Sequence, residues 1–182
     1  IFEERTCREL LQDSLRILPS AWYEEAKHDY FEVCGADLDR YLILKGEKFV
    51  ERLQECQRKD ELFFDQTINA SVIDFVLENP EIGQGVRKGN IVFETKIPNN
   101  TMAYLEETDP IKKRYHYCHC PWAKESLRNG SLKVSSTFCQ CSAGFHKKPY
   151  EVIFGKTLKA DVLQSVLNGD LICRFAIHLP EE

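Results

Sequence analysis

Residues that break secondary structure are scarce in this sequence: 7 prolines and 9 glycines occur among 182 residues. Such low numbers exclude a collagen-like or low-complexity chain. No run approaches the roughly 18 apolar residues that a membrane-spanning helix needs. The first residues are charged from Glu3 onward, so they do not form the apolar core of a secretory signal. We therefore predict that the protein does not have a membrane as its partner.

Basic residues are also fewer than acidic residues. The chain has 24 Lys and Arg against 29 Asp and Glu, which gives a formal net charge of -5. Nucleic-acid binding depends on Lys and Arg that neutralise phosphates. We therefore predict that no nucleic acid is a partner.

Cysteine, in contrast, is abundant, with 8 residues. A chain of this length buries enough apolar surface to fold without covalent cross-links. We therefore expect reduced thiols and a cytoplasmic location. The even number of cysteines also fits disulfides, and three Asn-X-Ser/Thr sequons would carry glycans in a secreted protein.

The apolar periodicity divides the chain into two halves of one domain, residues 1–182. Residues 1–80 have mostly helical spacing, including a run from Leu10 to Leu18 that Pro19 stops and a short helix from Ser71 to Leu77. Residues 81–182 have more alternating segments, and predicted strands cover 91–97, 115–120, 150–154, 158–167 and 171–179. The last two strands form a predicted hairpin at Asn168-Gly169-Asp170. A helix is expected through Cys139, Cys141 and Phe145.

These elements predict an α+β fold in which N-terminal helices pack on a C-terminal twisted antiparallel sheet. The second half of the chain contains ten aromatic residues, from Phe93 to Phe175. Most of them are expected in the core, but a cavity lined by aromatic rings and a few polar groups is also typical of a small-molecule pocket.

Two short cysteine motifs are the most informative feature, Cys118-His119-Cys120 and Cys139-Gln140-Cys141. Thiolates favour zinc, copper(I) or iron–sulfur clusters, so the motifs and a later cysteine predict a metal site, with zinc as its candidate ion. Two alternatives remain open: the cysteines are ordinary core residues, or the two motifs are joined by a disulfide. The candidate metal ligands are Cys118, Cys120, Cys139, Cys141 and Cys173.

The same region offers candidates for catalysis. A cysteine beside a histidine can act as a nucleophile with its base, and the candidates are Cys118, Cys120, His119 and His146. Such a pair needs a third residue that orients the histidine. Asp161 and Asp170 are candidates for that role by residue type alone.

Two segments near the C-terminus resemble a known family. Cys141-Ser-Ala-Gly-Phe145 and Gly169-Asp-Leu-Ile-Cys-Arg-Phe-Ala-Ile177 are similar to the C-terminal half of four-vinyl-reductase-type domains and to thiazoline-carboxylate-hydrolase-like proteins. The resemblance lies mainly in residues 139–179. It implies the ligand-binding fold of nitric-oxide-signalling and Golgi-transport proteins, in which an apolar pocket lies between helices and sheet.

Some sensor members of that superfamily carry zinc near the pocket. The resemblance matches Cys141 and Cys173 to the outer two ligands, but the two middle ligands are replaced here by Val162 and Ser165. The family's zinc site is therefore incomplete. Our hypothesis is that Cys118 and Cys120 supply the missing ligands.

Three functions follow as hypotheses. The first is a small-molecule-binding domain with a cysteine-rich zinc site beside an aromatic-lined pocket. The second is an enzyme, a hydrolase or lyase that acts on a small sulfur- or nitrogen-containing compound such as a thiazoline carboxylate, through a cysteine nucleophile or a cysteine-bound metal. The third is an assembly module that forms a homodimer.

Overall fold

The structure is a computed structural model that describes residues 3–13, 18–130 and 132–181. Its helices are α1 (Glu4–Asp13), α2 (Glu24–His28), α3 (Leu38–Lys59), α4 (Ala70–Glu78), α5 (Thr101–Glu106), α6 (Pro110–Tyr117), α7 (Pro121–Asn129) and α8 (Gln140–Phe154). Its strands are β1 (Leu62–Phe63), β2 (Gln66–Thr67), β3 (Val86–Lys88), β4 (Ile91–Thr95), β5 (Lys159–Gln164) and β6 (Arg174–His178). None of these helices combines the length and the apolar character needed to cross a lipid bilayer.

The larger sheet has the strand order β3-β4-β6-β5, and all its neighbours are antiparallel. Central strand β6 buries Phe175 and Ile177 completely. In β4 the buried positions are Val92 and Glu94, because alternate side chains of a strand point to the same face. The fold thus places one carboxylate, Glu94, among apolar side chains of the sheet.

Helix α8 contacts α1 as well as strands β5 and β6. Its buried residues include Ala143, Lys147 and Tyr150, which recur at helical spacing. Gly144 allows α1 to approach closely, because a Cβ built at this position would lie 2.0 Å from the backbone oxygen of Gln12. The position of α8 is therefore fixed by its contacts with both the sheet and α1.

Helix α3 belongs to two apolar clusters. Near its N-terminus, Leu38 and Tyr41 pack in the same cluster as Phe175 of the sheet. Toward its C-terminus, Leu53 packs with Val72 of α4. Asp37 begins the helix by accepting hydrogen bonds from the backbone N–H groups of the residues two and three positions later, at 2.9 and 3.0 Å. One capped helix thus connects the N-terminal helices to the sheet.

The predicted α+β class is confirmed. Of the short-range predictions, the helix at 71–77 corresponds to α4, the strand at 91–97 to β4, and the helix through Cys139 and Cys141 to the 3₁₀ turn Ser136–Cys139 followed by α8. Residues 81–182 are less rich in sheet than expected, because they also contain α5 to α8. For the predicted helical run that begins at Leu10, α1 covers Leu10 and Leu11, whereas Ser14 and Leu15 lie outside the described residues.

Two predicted strands are wrong. Residues 115–120 include the last turn of α6, because Asp109 caps that helix through two backbone N–H groups at 2.9 Å and Pro110 occupies its first turn. Residues 150–154 form the end of α8, where Tyr150 and Ile153 are buried three residues apart. In both segments, helix-starting signals upstream outweigh the local aromatic alternation.

The C-terminal strands pair as predicted, but their connection is longer than a tight turn. It spans residues 165–173 and contains the 3₁₀ turn Val166–Asn168. Asp170 accepts a hydrogen bond from the backbone N–H of Ser165 at 2.8 Å, which closes this loop. The loop carries Ser165 and Cys173 toward the N-terminus of α8.

Candidate functional site

Four of the predicted site cysteines lie close enough for their charges to interact, and we refer to Cys118, Cys120, Cys139 and Cys173 as the thiol cluster. A negative charge on one of these sulfur atoms would raise the pKa of its neighbours. Cys118 has this effect on Cys173, and Cys120 has it on Cys118 and Cys139. The first two cysteines flank His119 in the extended link between α6 and α7. The third ends the 3₁₀ turn before α8, and the fourth precedes β6.

Burial is the main influence on the pKa of three of these thiols. It raises the pKa of Cys118 to about 11 and that of Cys173 to about 12, and it also raises the pKa of Cys139. Hydrogen bonds act in the opposite direction: Ser165 Oγ donates to Cys139 Sγ at 3.0 Å, and the backbone of Val166 stabilises the Cys173 thiolate. Cys118, Cys139 and Cys173 are therefore protonated near neutral pH, but polar groups already point at the sulfur atoms of Cys139 and Cys173.

Lys96 provides a positive charge beside the cluster. It lies just after β4, and its backbone N–H donates to the backbone oxygen of Cys173 at 3.0 Å. Its Nζ donates to Ser142 Oγ of α8 at 3.3 Å. The Lys96 ammonium lowers the pKa of three cluster thiols against the larger effect of burial. A negative ligand at the cluster would meet this charge.

His119 lies between two cluster cysteines, but its ring bonds elsewhere. Its Nε2 is 2.8 Å from the backbone oxygen of Ile97, which can only accept, so this nitrogen carries the proton. Burial, followed by the nearby Lys96 ammonium, lowers the pKa of His119 to about 4. The imidazole is therefore neutral at physiological pH.

The second predicted catalytic histidine, His146, bonds to Glu94. His146 Nδ1 lies 2.6 Å from Glu94 Oε2, and Tyr150 Oη donates to Glu94 Oε1 at 2.7 Å. Lys45 Nζ also donates to Glu94 Oε1 and lies 3.2 Å from the Tyr150 hydroxyl. Burial opposes ionisation of Glu94, but Lys45 and His146 outweigh it and hold the pKa of the carboxyl at about 2. Glu94 is therefore a buried carboxylate with three polar partners.

The ring of His146 is held in one orientation. It stacks on Phe175 with ring centroids 4.6 Å apart and an angle of 26°. Because a carboxylate can only accept, Nδ1 carries the proton in this pair. Nε2 has no hydrogen-bond partner among the residues that the structure describes. His146 is close enough to His119 for their charges to interact, so the imidazole lies near the thiol cluster.

Sequence reasoning missed Glu94, the residue that orients His146. Asp161 accepts from His178 Nε2 at 2.7 Å, and Asp170 closes the loop before β6, so neither contacts His146. A signal was present, because Glu94 occupies an inward position of a strand that was correctly predicted. A charged residue on the buried face of a strand needs a partner.

The remaining metal candidate, Cys141, is half-exposed on the first turn of α8 and does not belong to the thiol cluster. All eight cysteines lie within the described ranges and are free thiols. Of the middle positions given by the resemblance, Val162 pairs with Phe175 across the sheet and Ser165 contacts Cys139.

The donor chemistry of the thiol cluster suits a soft metal ion. In the described part of the chain, however, no group of three or more His, Cys, Asp or Glu residues is arranged to hold a metal ion. Binding of one ion by three cluster thiols would therefore require side-chain rotation toward a common point.

Two open clefts lie away from the thiol cluster. One, of about 770 Å³, lies between α1 and β5, and the other, of about 670 Å³, lies along α3. Tyr41 and Lys45 line the second cleft. Through Lys45 this cleft connects to the Glu94 group.

Comparison with known proteins gives one partial match. A family model described as a family of unknown function (DUF6144) matches residues 93–182, slightly less than half of the chain. No curated protein and no solved structure matches. The matched segment contains the entire thiol cluster together with Glu94, His146 and Tyr150, whereas Lys45 lies outside it.

Proposed function

We propose that the chain is a small-molecule-binding domain whose ligand engages the thiol cluster, with zinc as the ion that the cluster takes. The observation that carries this proposal is the proximity of Cys118, Cys120, Cys139 and Cys173, which lie close enough for their charges to interact although they belong to three separate segments of the chain. The four cysteines offer soft sulfur donors, and zinc binding displaces the protons of the thiols that it ligates.

The surroundings of the sulfur atoms support the proposal. The Ser165 hydroxyl and the backbone at Val166 donate toward Cys139 and Cys173. Hydrogen bonds of this kind stabilise thiolates and orient them as ligands. The Lys96 ammonium adds attraction for negative charge, whether on the thiolates or on a bound ligand.

Zinc titration of the fully reduced protein tests the proposal. After unbound metal is removed, elemental analysis should give one zinc per chain, and Cys139→Ser should abolish that binding. The matched control is Cys141→Ser, two residues further along the same segment but outside the cluster, which should keep it. Zinc bound equally by both variants, or well below one equivalent in the unmodified protein, would contradict the proposal.

The enzyme hypothesis has its own supporting observation, the His146–Glu94 pair. A carboxylate that holds Nδ1–H leaves Nε2 available as a base, the arrangement that general-base catalysis uses. In this second proposal, Nε2 of His146 accepts a proton from water that attacks a small sulfur- or nitrogen-containing substrate.

Hydrolysis of a thiazoline carboxylate, followed by the appearance of the free thiol, tests this second proposal. We expect His146→Asn to abolish turnover. His178→Asn should not, although its imidazole is also paired with a carboxylate, Asp161, at 2.7 Å. Equal turnover in the two variants, or none in the unmodified protein, would count against this substrate and this base.

A further inference from the structure

The smaller sheet ends in an unusual turn. Strands β1 and β2 pair Phe63 with Gln66, so Phe64 and Asp65 alone form the connection. Both have positive φ, 48° and 63°. A two-residue turn of this kind favours Asn followed by Gly, because other side chains rarely adopt a left-handed conformation. Its sequence therefore does not suit its backbone.

Burial does not explain this choice of residues, because Phe64 is 56% exposed. Its ring instead meets the imidazole of His119 edge-on, with centroids 5.8 Å apart and an angle of 86°. His119 separates two cysteines of the thiol cluster. The exposed ring thus lies over the segment that carries Cys118 and Cys120.

Hydrogen bonds fix the hairpin in this position. Asn99 Nδ2 donates to the backbone oxygen of Phe64 at 3.3 Å, and Gln66 Nε2 donates to that of Pro98 at 2.8 Å. Gln66 Oε1 also accepts from the backbone N–H of Thr101 at 3.0 Å. The hairpin is thereby attached to the segment that follows β4, the same segment that holds His119 through Ile97.

Charged groups place the tip on the same side as the cluster. The Lys124 ammonium lies near both the Asp65 carboxylate and the Cys118 thiol, and its Nζ donates to Asn99 Oδ1. Lys124 therefore connects the turn, the segment after β4 and the cluster.

We infer that Phe64 is a specificity-determining residue of the thiol cluster: the hairpin tip covers its Cys118–Cys120 side and selects ligands by size. Small reagents pass the ring, whereas bulky ones are excluded until it is removed. This inference rests on the thiol cluster as the binding site of the proposed function.

Thiol labelling with a small and a bulky reagent, iodoacetamide and a pyrene maleimide, tests the inference in the metal-free reduced protein. Mass spectrometry gives the rate at each cysteine. In Phe64→Ala we expect the bulky reagent to react severalfold faster at Cys118 or Cys120. The iodoacetamide rate should change much less, and the rate at Cys7 should stay constant.

Asp65→Gly is the matched control, because it relieves the turn without removing the ring and should leave both labelling rates unchanged. The double variant Phe64→Asn, Asp65→Gly gives the turn its preferred residues and removes the ring. This double variant should have a higher melting temperature and should still react faster with the bulky reagent. A loosened fold would not give both results.

Three results would overturn the inference: equal bulky-reagent rates in Asp65→Gly and in the double variant, acceleration at Cys7 as well, or equal acceleration of both reagents. Failure of zinc binding is a separate result, because the labelling is done without metal. If the cluster does not bind zinc but its size selectivity changes in Phe64→Ala, the proposal of a zinc site is wrong and the proposed role of Phe64 stands.

Discussion

His146 donates from Nδ1 to Glu94 Oε2 across 2.6 Å, and this pair joins α8 to the central part of the sheet. On the same face of α8, Ser142 and Tyr150 lie one turn before and one turn after His146, and they bond to Lys96 and Glu94. A row of polar contacts therefore runs under α8 from the thiol cluster to Lys45.

Replacing Glu94 should be strongly destabilising. In Glu94→Gln the Lys45 ammonium loses its buried counter-charge, and removal of one partner from a buried ion pair costs about 3–5 kcal/mol. Urea unfolding should show a loss of this size. Adding Lys45→Met should restore part of it, since the uncompensated charge is then absent.

The control for this prediction is Glu81→Gln. Glu81 forms a two-bond pair with Arg174 at 2.6 and 2.7 Å, but both side chains are more exposed than those of Glu94 and Lys45. Its loss should cost only about 1 kcal/mol. Equal losses in the two variants would show that burial of the Glu94 group does not determine its contribution.

Acid should weaken the fold through the same carboxyl. The pKa of Glu94 is about 2 in the folded protein, below its ordinary value of 4.5. A lowered pKa contributes stability that is complete above the unfolded value and is lost as pH falls toward the folded one. We expect roughly 3 kcal/mol to disappear between about pH 4.5 and pH 2.

The measurement is the unfolding free energy across that pH range for the unmodified protein and for Glu94→Gln. The variant is less stable throughout but should have a shallower slope, because it has no carboxyl to protonate at this position. If stability falls with pH equally steeply in both proteins, other carboxyls cause the acid sensitivity. Glu81 is one such group, because its hydrogen bond from Arg174 lowers its pKa.

The sequence predicted the parts of this fold that depend on local patterns. Strand β4 and helix α4 follow from periodicity and end signals, and the antiparallel pairing of the last two strands follows from their alternation. The same reasoning predicted a strand around Tyr115, and that prediction was wrong, because the helix that begins at Asp109-Pro110 determines the conformation of this segment.

The candidate site was predictable only as a set of residue types. Cysteine spacing identified Cys118, Cys120 and Cys139, but it could not separate Cys139 from Cys141, because that choice depends on the direction in which α8 leaves its first turn. The partner of His146 is 52 residues away in sequence. Contacts of this range depend on how α8 docks on the sheet, for which one sequence carries no direct signal.

The docking of α8 against α1 predicts a large effect of a single methyl group. Gly144→Ala would place a Cβ 2.0 Å from the backbone oxygen of Gln12, and backbone cannot yield as a flexible side chain does. We expect a loss of about 1–3 kcal/mol in unfolding free energy, as for other overpacked positions. Differential scanning calorimetry would report it as a lower melting temperature.

Gly46→Ala is the matched control, because Gly46 is also helical and a Cβ there meets the side chain of Gln84 at 2.7 Å. The nearest atom is the Cβ of Gln84, 0.7 Å further away than the Gln12 oxygen is at Gly144, and both substitutions gain about 1 kcal/mol of helix propensity over glycine. Gly46→Ala should therefore lose less stability than Gly144→Ala. A larger loss in Gly46→Ala than in Gly144→Ala would contradict the close packing of α1 on α8.

The hydroxyl of Tyr117 should hold the thiol cluster in place. It donates to the backbone oxygen of Lys96 and is almost completely buried, directly before Cys118. In Tyr117→Phe we expect a loss of about 1 kcal/mol in unfolding free energy and weaker zinc binding, because the link from β4 to Cys118 loses its fixed position. Tyr104→Phe should do neither, since the Tyr104 hydroxyl has no hydrogen-bond partner in the described ranges. Equal losses of stability in the two variants, with zinc affinity unchanged, would contradict a role for the Tyr117 hydrogen bond in positioning the thiol cluster.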